Sequence, residues 1–123
     1  MEHSARSYKD LIVWQKSLTL CRLIYECTEK YPQRELYGLA SQMRRAAVSI
    51  PSNIAEGRSR STAKDFGNFL RIALGSAAEL ETQLLISKDL SYCDNDMFEK
   101  ADSLLSEIRR MLHAMIKGLE ASD

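Results

Sequence analysis

Apolar residues return every three or four positions along four separate stretches of this chain, and no stretch combines a two-residue alternation with hairpin punctuation. That period restricts the chain to packed helices. In the first stretch Leu11, Trp14, Leu18, Cys21 and Tyr25 share a face that Ile24 widens. The second carries Leu36, Leu39, Met43, Ala47, Ile50 and Ile54; the third carries Phe66, Phe69, Ala73, Ala77, Leu80 and Leu84. In the fourth, Leu104, Ile108, Met111, Met115 and Leu119 line up, with Leu105 and Leu112 beside them. Punctuation separates the stretches. Ser7 with Asp10, Thr62 with Asp65, and Asp96 with Glu99 have the spacing of helix starts. Pro32 breaks the first connection, Gly57 stands where a C-terminal cap belongs, and "SYCDND" reads as a turn. The pattern predicts helices over about 8–30, 35–57, 62–90 and 96–120, within a single domain spanning 1–123. Short connections favour antiparallel neighbours, so the expected architecture is an all-α, up-down four-helix bundle.

One element resists this pattern. "RRAAVSIPSNIAEG", residues 44–57, keeps its helical phase on both sides of Pro51. A proline inside a helix removes one backbone hydrogen bond, crowds the carbonyl four residues earlier and costs about 3 kcal/mol. Because the apolar phase runs unbroken from Ile50 to Ile54, the expectation is a continuous second helix kinked at Pro51. Ser49 and Ser52 are placed to bond freed backbone groups, and Asn53 to bond across the kink or to a neighbouring helix. Pro51, Asn53, Glu56 and Gly57 are accordingly read as a structural motif rather than a ligand site.

Composition narrows the functional classes. The chain is electrically neutral, with 17 basic and 17 acidic residues, which argues against a general affinity for nucleic acid. The charge is nonetheless uneven: residues 43–75 carry a net +4 and residues 76–123 a net −5. No apolar run approaches the roughly 18 residues of a membrane span, and "MEHSARSYKD" has no apolar core for a secretory signal. Cys21, Cys27 and Cys93 lack metal-type spacing, and the first two sit among apolar residues as small buried hydrophobes. The expected location is the cytoplasm.

The blocks "SIPSNIAEG" and "GSAAELETQL", within "YGLASQMRRAAVSIPSNIAEGRSRSTAKDFGNFLRIALGSAAELETQL", resemble the signature region of the proteins encoded in bacterial 23S rRNA intervening sequences. The upstream "YKDLIVWQKSLTLCRLIYECTEKYP" is similar to that family's first helix. The likeness extends over about residues 8–120. It implies a four-helix bundle that assembles as a ring-like homopentamer, in a family without a settled biochemical activity. Relatives of the family include the accessory protein of diversity-generating retroelements, a basic pentamer that holds a reverse transcriptase and nucleic acid together. The zero net charge of this chain departs from that relative and weakens the transfer of nucleic-acid binding.

Candidate functional residues are few. Arg44, Arg45, Arg58, Arg60, Lys64 and Arg71 could form a basic face for phosphate contacts, enlarged by repetition around an oligomer. The competing reading is solvated residues and ion pairs, with partners such as Glu56 and Asp65. Glu79 and Glu81 point away from each other on a helix, so they fit a structural ion pair with Arg44 or Arg45 better than catalysis. His3 is placed in a terminus and His113 on the fourth helix, neither with a nucleophile partner. Gly67, Gly75 and the run Ser76, Ala77, Ala78 suggest close approach of the third helix to a neighbour. Trp14 and Tyr25 read as core or interface, and Tyr31 and Tyr37 as closing the first loop. The sequence therefore predicts no catalytic residue, metal, cofactor or small-molecule substrate. Its leading expectation is a non-enzymatic, oligomeric scaffold for a protein or RNA partner, with a structured-RNA binder as the alternative.

Overall fold

The computed structural model describes residues 7–122, so His3 lies outside the described residues. Four α-helices and no strand occur among them: α1 (Ile12–Thr28), α2 (Leu39–Arg58), α3 (Ala63–Asp89) and α4 (Asn95–Ser122). Each helix packs on its neighbour in the chain, and α1 closes the square against α4. None of the helices is long and apolar enough to cross a membrane.

The starts and stops show which local signals prevailed. Ser7 does not cap α1; its hydroxyl accepts from Lys9 N at 3.1 Å in a 3-10 turn, Tyr8–Asp10. The chain is extended at Leu11, and α1 begins only after it. A second 3-10 turn, Gln33–Glu35, delays α2 until Leu39, whose N–H donates to Glu35 Oε1 at 3.1 Å. Thr62 caps α3 as its spacing suggests, its hydroxyl accepting from Asp65 N at 3.1 Å. For α4 the cap is Asp94 rather than Asp96, because Asp94 Oδ1 takes the Met97 N–H at 2.8 Å. The end of α3 is a Schellman turn: Tyr92 N bonds Ser87 O at 2.9 Å and Ser91 N bonds Lys88 O at 3.0 Å. Ser91 occupies its left-handed position at φ 61°, where glycine is usual.

Gly57 is not a C-cap. It lies inside α2, and the helix ends at Arg58 with Ser59 following in right-handed geometry. Its small size matters instead, since a Cβ there would meet Phe69 Cβ at 2.7 Å and Phe66 Cδ1 at 3.0 Å. The close approach of α2 and α3 thus depends on Gly57, whereas Gly75 faces open space.

The core shifts the expected register of α1. Val13, Ser17, Leu20, Ile24 and Cys27 are buried, while Leu18 is 41% and Tyr25 45% exposed. The buried line therefore lies one residue, or about 100°, around from the stripe read in the sequence. Ser17 conceals it: a serine looks polar, yet its hydroxyl donates to Val13 O at 2.7 Å and needs no solvent. Thr28 does the same with Ile24 O at 2.7 Å. In α3, Leu70, Gln83 and Ser87 join the expected Ala73, Ala77, Leu80 and Leu84 in the interior. In α4 the buried line is Phe98, Ala101, Leu105, Ile108, Leu112 and Ile116, with Leu104, Met111, Met115 and Leu119 flanking it.

Candidate interaction surface

Pro51 organises the seam between α1 and α2. The helix continues through it, but its missing N–H leaves the Ala47 carbonyl without its helical donor. The Cys21 thiol of α1 supplies the replacement, 3.2 Å from Ala47 O. Burial holds that thiol protonated, pushing its pKa up to about 11, and only the protonated thiol can donate. Cys21 is thus a specific donor rather than a small apolar filler. One turn further, Asn53 Nδ2 donates to Ser49 O at 2.8 Å and to Ser49 Oγ at 3.0 Å. Ser49 Oγ then lies 2.7 Å from Ser76 Oγ, tying α2 to α3. Ser49, Asn53 and Ser76 satisfy one another, whereas Ser52, expected to bond a freed backbone group, is exposed.

Outside this seam, a groove of about 540 Å³ is lined by Tyr25, Leu36, Tyr37, Ser41, Arg44, Arg45, Val48 and Ser49. Its rim is apolar and open: Tyr37 is 93% exposed, and Tyr25, Leu36 and Val48 are also exposed. Of the two loop tyrosines, Tyr31 is buried against Tyr92 with ring centroids 5.4 Å apart, while Tyr37 projects outward. Arg44 Nε donates to Thr28 Oγ1 at 2.8 Å, and its guanidinium lies 4.7 Å from the Tyr25 ring centroid. Arg45 is exposed and lines both this groove and an adjoining depression shared with Glu79.

The remaining cations lie elsewhere. Arg58, Arg60 and Lys64 stand around the α2–α3 turn, about 20 Å along α2 from Arg45. Arg60 pairs with Glu56 at 2.7 Å and lies 4.9 Å from the Phe69 ring centroid. Arg71 pairs with Glu120 of α4 at 2.6 Å. The six residues therefore fall into separate groups, and Arg44, Arg60 and Arg71 are engaged by neighbouring side chains. Glu81 takes Arg109 of α4 at 2.7 Å, not Arg44 or Arg45, and Glu79 accepts from Gln83 Nε2 at 3.3 Å. His113 is exposed on α4.

A second set of exposed apolar side chains, Ile72, Leu85, Ile86 and Leu90, belongs to α3. Sequence periodicity assigned none of the residues rimming the groove, apart from Tyr25, to an interface. The available signal was a surplus of apolar positions beyond what one stripe per helix can bury.

Comparisons with known proteins agree with this architecture. The family described as 23S rRNA-intervening sequence protein matches residues 9–114. The chain is also similar to a crystal structure of a protein of unknown function from the S23 ribosomal protein family of Bacteroides thetaiotaomicron. The two share 28% identity and a TM-score of 0.78, over 86% of this chain and 99% of that one. No curated protein matches the chain.

Proposed function

From its membership of the 23S rRNA-intervening sequence protein family, to which this chain belongs, we propose that it is a non-enzymatic, oligomeric interaction scaffold of the cytoplasm. In this reading the bundle is antiparallel and up-down, α2 bends at Pro51, and copies close into a ring, a pentamer by family resemblance. The observation that carries it is the open groove rimmed by Tyr25, Leu36, Tyr37 and Val48. Exposed apolar clusters of this kind mark association sites. Exposed Leu85, Ile86 and Leu90 near the end of α3 give each copy a second, different surface, and contact between unlike surfaces runs head to tail and closes a ring when the rotation permits.

The test is native mass. Tyr37→Glu in the groove and Leu85→Glu on α3 are each expected to reduce the assembly to monomers. Mixing the two variants should give dimers, because each retains one intact surface. Wild-type mass in either variant overturns the assignment of that surface.

Nucleic-acid binding is the second reading. It is favoured by Arg45 and Lys64, which are exposed and make no ion pair among the described residues. It ranks below the scaffold because Arg44, Arg60 and Arg71 already have partners within the chain. Labelled ribosomal RNA, titrated at low and moderate salt, separates the two. Phosphate-driven binding falls steeply with salt, and Arg58→Ala with Arg60→Ala should weaken it for all sequences alike. Absence of binding at low salt eliminates this reading and leaves the scaffold in place.

A further inference from the structure

We propose that Cys27 and Cys93 are a thiol–disulfide exchange site, oxidised by a low-molecular-weight disulfide to an intrachain cross-link between the end of α1 and the α3–α4 turn. Their sulfurs lie 3.0 Å apart, about 1 Å longer than a disulfide bond, although 66 positions separate them in the chain. They belong to different elements, Cys27 to the last turn of α1 and Cys93 to the connection before α4. The backbone has therefore already brought the two thiols together, and only a small approach remains. Both are free and buried, at 3% and 7% exposure, and Cys27 also donates to Tyr31 Oη at 3.5 Å. Cys21 is bonded instead to Ala47 O and takes no part.

Cys93 is the attacking group. It is the more exposed of the two and lies outside the helices, in the turn before α4. Its thiolate attacks one sulfur of the small disulfide, forming a mixed disulfide and releasing one thiolate. The Cys27 thiolate then attacks the Cys93 sulfur and displaces the second thiolate. Two protein thiols are oxidised to one disulfide and one small disulfide is reduced to two thiols, which take up the two protons lost by the cysteines. The reaction is slow in the folded chain, because burial raises the Cys93 pKa to about 12 and keeps its thiolate scarce.

Oxidised glutathione is the probe. The native full chain is equilibrated with it, then denatured, alkylated and weighed. The expected product has lost the mass of two hydrogens, retains one alkylatable thiol, Cys21, and yields a peptide joining positions 27 and 93. Cys21→Ser should retain the cross-link, whereas Cys27→Ser should stop at a single glutathione adduct on Cys93. Closing so long a loop should also raise the melting temperature of the wild type. Three alkylatable thiols at equilibrium, a cross-link through Cys21, or a stable wild-type glutathione adduct would each overturn the proposal.

Discussion

The α1–α2 seam and the α3–α4 seam hold the same bundle together by different chemistry. Between α3 and α4 the rim is charged: Arg109 meets Glu81 and Arg71 meets Glu120, above a core of Leu80, Leu84, Leu105 and Ile108. Between α1 and α2 the rim carries tyrosines, leucine and valine around a groove, and the interior contains a proline supported by a thiol. Surface ion pairs contribute little energy individually. An apolar rim leaves a face suited to a partner.

Breaking the α1–α2 seam at its thiol should have the largest effect on stability. Cys21→Ala removes the donor to Ala47 O and leaves a buried carbonyl unpaired, an expected loss of about 1–3 kcal/mol in urea unfolding. In a Pro51→Ala background the restored N–H can serve Ala47, so the same Cys21→Ala change should cost markedly less. A cycle with no coupling between the two positions contradicts the link between thiol and proline.

The charged seam should respond less. Coupling between Glu81 and Arg109, measured with alanine at each position and both, is expected at about 0.2–1 kcal/mol and should shrink as salt rises. A larger, salt-insensitive value would make the α3–α4 pair a core element and blur the contrast.

The turn between α3 and α4 should show the smallest change, in the opposite direction. Ser91→Gly relieves a left-handed residue at φ 61°, with an expected gain of up to about 1 kcal/mol visible as a higher melting temperature. A loss there would mean that the Ser91 side chain contributes more than its backbone strain costs.

Much of this molecule was readable in the order of its residues. Apolar spacing specified four helices, Thr62 specified the start of α3, and the unbroken phase across Pro51 specified that α2 would continue. These are local properties, set by period, capping and backbone sterics within a few residues. The blocks around "SIPSNIAEG" and "GSAAELETQL" likewise pointed to the family that matches residues 9–114. Register was less legible. Ser17 and Thr28 bond their own helix and so disappear into the core, which turned the inward face of α1 away from the stripe of Leu18 and Tyr25.

Contacts between distant residues depended on the tertiary structure alone. Helical sterics predict that Pro51 strands the Ala47 carbonyl, but no spacing rule names Cys21, 26 positions away, as its donor. Nor does any local rule place Cys27 beside Cys93, pair Glu81 with Arg109, or leave Tyr37 in solvent while Tyr31 is buried. Periodicity is written within one helix. The choice of partner depends on how helices rotate and slide against one another, and that is settled only when all four share a core.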